Sequence, residues 1–146
     1  MAKGLVLVTR FLGRFEHTID DKGRLTLPSK FRSQFEHGGY LTQNLDGCLA
    51  LWTPEEFDLQ TEAMQLRAAQ TQSDRNLVRL WAASSTDLVV DRQGRISIPS
   101  HLREFAALVD DVLVHGALDR VELWDPARWE DKVRPEERRF TEGTDL

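Results

Sequence analysis

The sequence predicts an α+β fold, mainly β with short helices, arranged as one pseudo-symmetric domain of two similar halves. Three observations predict it. The stretch from Thr18 to Arg32 recurs 71 positions on as Val89 to Arg103, and six of the fifteen aligned pairs are identical. Leu51-Trp52 and Pro54 recur as Leu123-Trp124 and Pro126. Short runs of alternating apolar residues, broken by turn residues, surround both copies. An internal repeat governs the reading of everything else, and two copies are too few for a solenoid.

Phe11 to Ile19 reads as extended, with Phe15, His17 and Ile19 on one face. Asp21-Lys22-Gly23 supplies turn chemistry: an Asp side chain bonds to backbone nearby, and Gly accepts positive φ. Leu25 and Leu27 alternate around Thr26, so the spacing predicts a β-hairpin whose turn lifts Lys22 and Arg24 clear of the core. Pro28 ends the strand and opens a short helix bearing Phe31 and Phe35, which Gly38-Gly39 terminates. A second hairpin follows, from Tyr40 to Leu45, through Asp46-Gly47, to Trp52.

Thr53-Pro54-Glu55-Glu56 has the form of a capping box and predicts a helix to about Ala69. Ser73-Asp74 is expected to cap a connecting helix over 73–85, with Leu77, Leu80 and Trp81 on one face. The series then restarts. Leu88 to Asp91 is a predicted strand, Arg92-Gln93-Gly94 a turn, Ile96 to Ile98 a strand, and Pro99-Ser100 a helix start carrying Leu102, Phe105 and Ala106. Val112 to Val114 and Val121 to Trp124 form another hairpin, and Asp125-Pro126 opens a last helix. Repeat 1 thus covers about 11–70, repeat 2 about 87–133, and a charged, loosely ordered tail about 134–146.

Composition excludes several function classes. Cys48 is the one cysteine in the chain, which removes an internal disulfide framework and leaves it as a small buried hydrophobe. No apolar run approaches the roughly 18 residues of a membrane span. The opening Met1–Arg10 has too short an apolar centre for a signal peptide, so the expected location is cytoplasmic. His17, His37, His101 and His115 are scattered, with no metal-ligand spacing, and no metal or cofactor is expected. No phosphate loop, nucleophile elbow or zincin motif is present. Asp20 and Asp91 could serve as acid and base, but each precedes an arginine by four residues, so orienting a guanidinium is the more economical role. The sequence does not read as an enzyme.

Net charge is −5, yet its distribution is uneven: +3 over residues 1–40, −4 over 41–70 and −4 over 71–146. Screening confines surface fields to about 10 Å at 0.1 M salt, so an acidic body can carry a basic face. Lys22 and Arg24 mark one turn, and Arg92 and Arg95 the other. Lys30, Arg32 and Arg103 adjoin the following helix starts, where backbone N–H groups also favour anions. A two-stranded β-ribbon fits the major groove of B-DNA, Arg grips guanine O6 and N7, and Lys more often meets phosphate. Two readings stand at this point. The pairs Asp20–Arg24 and Asp91–Arg95 staple their own hairpins, or they present arginines to double-stranded DNA.

The run from Phe11 to Pro28, the second D-x-x-G-R-I-x-I-P and the ending Glu122-Leu123-Trp124 resemble the bacterial MraZ proteins over about residues 11–133. Residues 1–10 depart from that pattern. The resemblance implies a double-split β-barrel of the AbrB and MazE kind, here with both halves in one chain. It implies a transcriptional regulator, nucleoid-associated, that binds repeated operator boxes in the promoter of the division and cell-wall gene cluster. It also implies a ring-shaped homo-oligomer, octameric or larger. The family's D-x-x-x-R residues fall on Asp20, Arg24, Asp91 and Arg95, with Gly23 and Gly94 supporting the turns. The second loop differs from the first, with Arg92-Gln93 in place of Asp21-Lys22. The other function class is an antitoxin-like or scaffold module binding a protein; the short, mixed-charge tail argues against it.

Overall fold

Asp20 and Gly23 make the turn that the sequence predicts, but the strands on either side of it do not pair as a hairpin. The computed structural model describes residues 10–143, so the opening segment before Arg10 lies outside the described residues. Strand β1 (Arg14–Thr18) runs antiparallel to β7 (Asp111–Gly116) of the other half. Strand β2 (Arg24–Thr26) runs antiparallel to β6 (Arg95–Ser97), its own counterpart in the repeat. A single bridge, Ile19 to Leu25, is what remains of the expected hairpin. The reason is burial: Leu25, Leu27, Ile96 and Ile98 are all enclosed. A lone hairpin with a three-residue strand has nothing to enclose them, whereas pairing the two copies does.

The remaining strands are β3 (Gly39–Gln43), β4 (Leu49–Trp52), β5 (Thr86–Leu88) and β8 (Val121–Trp124). They join β1 and β7 in a six-stranded sheet of order β1-β7-β8-β4-β3-β5, while β2 and β6 form a two-stranded sheet. The order reads the same from either end when β1–β4 are exchanged for β5–β8. The larger sheet does not close on itself: β1 and β5 are its edges. Strand β5 begins earlier than expected and stops at Leu88, which pairs with Gly39.

Prolines start the helices where predicted. Pro28 precedes α1 (Ser29–Arg32), and Pro99 precedes α4 (Ser100–Ala106). Thr53 caps α2 (Pro54–Ala68) by accepting from the Glu56 N–H, and Asp125 caps α5 (Pro126–Lys132) through the Arg128 N–H. Helix α3 (Gln72–Ser84) is capped two residues earlier than expected, at Thr71, whose hydroxyl accepts the Asp74 N–H. The charged tail is not loose between 134 and 142. A 3-10 turn (Arg134–Glu136) leads into α6 (Glu137–Glu142), where Arg134 pairs with both Glu130 and Glu137 at helical spacing.

The core is shared between the halves. Phe11, Phe31 and Phe35 pack ring to ring at centroid distances of 5.3 and 5.4 Å, against a cluster that includes Leu25, Leu27, Ile96, Leu102, Val114 and Leu123. Helices α2 and α3 lie outside it and bury no residue fully. A stack of Tyr40 on Phe57 and Phe57 on Trp81 ties them to β3. Cys48 is buried beside Leu113 and Trp124, and that burial, with the nearby Glu122 carboxylate, pushes its thiol up to about 12.

Candidate nucleic-acid interface

Each D-x-x-G-R copy folds into the same small clamp. Asp20 Oδ1 accepts the N–H groups of Lys22 and Arg24, both at 2.9 Å, and its Oδ2 accepts Arg24 Nε at 2.8 Å. Asp91 repeats the pattern with Gln93 N–H, Arg95 N–H and Arg95 Nε at 2.9, 2.9 and 2.8 Å. In each turn the Gly sits at positive φ, 77° for Gly23 and 79° for Gly94, a conformation that side chains with a Cβ resist. The backbone N–H of Arg24 holds the Asp20 carboxyl below its ordinary range, helped by the Arg24 guanidinium, and Arg95 does the same for Asp91. Both carboxylates are therefore ionised in neutral solution, and the guanidiniums are fixed in direction by charge-assisted bonds.

The clamps sit side by side. Leu27 N–H donates to Gly94 O at 2.8 Å and Ile98 N–H donates to Gly23 O at 2.9 Å. The antiparallel pair β2–β6 therefore ends in two adjacent loop tips. Lys22 and Arg92 are exposed on them. Arg24 and Arg95 spend only Nε on their carboxylates, and their Nη groups have no hydrogen-bond partner among the described residues.

Arg32 and Arg103 also reach these tips, although not as free cations. Arg32 Nε donates to Leu27 O at 2.9 Å and Arg103 Nε to Ile98 O at 3.0 Å. Their guanidiniums lie against the glycines of the opposite loops. A Cβ built on Gly94 would fall 2.6 Å from Arg32 Cζ, and one on Gly23 would fall 3.0 Å from Arg103 Cζ. Lys30 is exposed on α1, two residues from Arg32. Helix α1 has four residues and α4 has seven, too short for the helix-start anion sites that the sequence suggested. The tips thus gather Lys22, Arg24, Arg32, Arg92, Arg95 and Arg103 around Asp20, Asp21 and Asp91. Six cations against three carboxylates make a local positive face on a chain whose net charge is −5.

Sequence reasoning missed two features. One is the placement of Arg32 and Arg103 over glycines of the other repeat; its available signal was that the Gly-to-Arg spacing is the same in both copies. The other is a buried polar network away from the tips. Glu122 accepts from Trp124 Nε1 at 3.0 Å, Arg120 Nε at 2.9 Å and Asn44 Nδ2 at 3.0 Å, and His115 Nε2 lies 2.9 Å from it. Burial alone would raise this carboxyl, but the bonds from His115, Trp124 and Arg120 outweigh it and bring it to about 2. The histidines do not converge. Among the described residues no group of three or more His, Cys, Asp or Glu is placed to hold a metal ion, and no helix is long and apolar enough to cross a membrane.

Comparison with known proteins agrees with this architecture. A family model described as "MraZ protein, putative antitoxin-like" matches residues 10–80 and again 82–145. A protein of Parafrankia sp. (strain EAN1pec) named transcriptional regulator MraZ is 41% identical over 132 residues, covering 90% of this chain and 92% of its own. A protein of the same name from Pediococcus pentosaceus is 39% identical over 130 residues, 89% of this chain and 91% of its own. Another, from Roseiflexus sp. (strain RS-1), is 41% identical over 125 residues, 82% and 84% of the two chains. By its repeats, its paired clamps and these relatives, the chain belongs to the MraZ family.

Proposed function

We propose that this chain is a transcriptional regulator that grips double-stranded DNA with the adjoining tips 20–24 and 91–95. The observation that carries the reading is the pair of carboxylate-steadied arginines, Arg24 and Arg95, held on neighbouring loops with Nη groups that no described residue bonds. Relatives named as transcriptional regulators support it. Arg24 and Arg95 take the base edges, where a guanidinium bridges guanine O6 and N7. Lys22, Arg92 and Lys30 meet phosphate, which sets position rather than sequence. Asp20 and Asp91 orient the arginines, and Gly23 and Gly94 allow the turns.

In this reading the β2–β6 pair covers the open larger sheet as a double-split barrel, one pseudo-symmetric domain built from two repeats. The protein acts in the cytoplasm at the nucleoid, as a ring of eight or more copies. Neighbouring subunits engage adjacent operator boxes, and the effective concentration so gained compensates for few contacts per subunit. A closed ring needs head-to-tail interfaces. The target is promoter DNA ahead of the division and cell-wall gene cluster that begins with the protein's own gene.

Footprinting on DNA upstream of that gene tests the proposal. Wild-type protein should protect regularly spaced boxes. Arg24→Ala should abolish protection while gel filtration and circular dichroism stay unchanged. Equal protection by Arg24→Ala would refute the assignment. The second reading, a protein-binding antitoxin-like module, is favoured by the antitoxin likeness in the family's description. Pull-downs with and without nuclease separate the two, since a direct protein partner survives nuclease.

A further inference from the structure

We propose that Arg32 and Arg103 are reciprocal positioning residues, each locking the loop tip of the opposite repeat so that Arg24 and Arg95 keep a fixed spacing. This rests on the DNA-binding reading for its purpose, though not for its geometry. Each arginine springs from the helix that follows its own short strand. Its Nε is spent on the carbonyl at that strand's end, Leu27 O for Arg32 and Ile98 O for Arg103. The same two residues carry the cross-links between repeats: Leu27 N–H donates to Gly94 O, and Ile98 N–H to Gly23 O. The guanidinium of Arg32 then lies against Gly94, and that of Arg103 against Gly23.

Each brace therefore joins three points, namely its own helix, the end of its own strand and the turn glycine of the other loop. A flat guanidinium can do this because Nε bonds the carbonyl while the group packs against a residue that has no side chain. A lysine ammonium has no such face. Gly94 and Gly23 are thus needed twice over, for positive φ and for the room the arginine occupies. Both tips are short, and β2 and β6 have three residues each. Without the braces, the two Leu27 and Ile98 cross-links would stand alone at the strand ends, where ladders fray.

Amide hydrogen exchange on the free full-length protein tests this, with Arg32→Gln, Arg32→Lys, Arg103→Gln and Arg103→Lys. Arg32→Gln should speed exchange at Leu27 and across 91–95 by about tenfold or more. Arg103→Gln should do so at Ile98 and across 20–24. The lysine variants should match the glutamine ones, since charge is kept and the planar face is lost. Titration with a duplex selected by the wild-type protein from fragmented genomic DNA supplies the second readout. Arg32→Lys should weaken binding about tenfold with the slope of log K against log salt unchanged, because no phosphate contact is lost. Unaltered exchange, faster exchange confined to the loop of the arginine's own half, or wild-type behaviour of the lysine variants would overturn the proposal. So would unaltered exchange with a slope flattened by about 0.9 in Arg32→Gln, which marks a phosphate contact instead. If the wild-type protein selects no duplex, the DNA reading fails, and the exchange data still decide the brace.

Discussion

Leu25 and Ile96 lie directly opposite each other on β2 and β6, and both are fully enclosed. The two basic tips therefore grow from a single apolar root, and whatever loosens one loosens the other. Leu25→Ala should cost about 2–5 kcal/mol, the range for truncating a buried leucine. Ile96→Ala should cost a similar amount, and the double variant should cost less than their sum, because contacting residues share one cavity. Urea denaturation followed by circular dichroism measures all three. Additivity would show that the residues do not pack as a unit.

The loops are equivalent in geometry but not in charge. Lys22 faces solvent in the first, while the second carries Arg92 followed by neutral Gln93. Lys22→Ala and Arg92→Ala should each flatten the slope of log K against log salt by about 0.9, one phosphate contact apiece. Gln93→Ala should leave the slope unchanged. Fluorescence anisotropy across a salt series reads the difference.

Asp20 and Asp91 carry carboxyls held below the ordinary value of 3.8, first by the backbone N–H groups of Arg24 and Arg95. A depressed carboxyl contributes its stabilisation above the unfolded value and loses it as pH falls through the lower folded value. Neither clamp should titrate between pH 5 and 8. Duplex affinity should show no carboxylate transition there, and Asp20→Asn should weaken binding at every pH in that window, since a neutral amide cannot balance the guanidinium. An affinity step near pH 6 abolished by Asp20→Asn would contradict the clamp.

Glu122 anchors the other polar centre. Replacing it with Ala strands the donors of Trp124, Asn44, His115 and Arg120, and should cost about 3 kcal/mol, the lower end for breaking a buried ion pair. The lower end applies because the Arg120 side chain is 30% exposed. Its folded value of about 2 against an ordinary 4.5 makes its contribution complete above pH 4.5 and lost as pH falls toward 2. Acid unfolding of Glu122→Gln should therefore be shallower than that of the wild type over this window. Identical profiles would show that the network does not sense its own charge.

What the sequence revealed was local. Asp20 and Gly23, Pro28 and Pro99, and the Thr53 and Asp125 caps act within a few residues, so their chemistry could be read directly from spacing. Pairing was not legible. Alternation at Leu25 and Leu27 says that one face is buried but not that the covering strand is β6 rather than β1. The roles of Arg32 and Glu122 were hidden for the same reason, since Gly94, Asn44 and His115 approach them only after folding. The tail went astray differently. Its charges read as disorder, yet Arg134 placed between Glu130 and Glu137 gives them helical partners.

The pairing of Arg14 with His115 joins β1 to a strand about a hundred residues further along. During synthesis β1 has no partner until β7 has left the ribosome, and the closure entropy of that long span opposes its docking. Nascent protein should therefore expose the β1 edge until β7 emerges, making the N-terminal half a substrate for holding chaperones until that pairing forms.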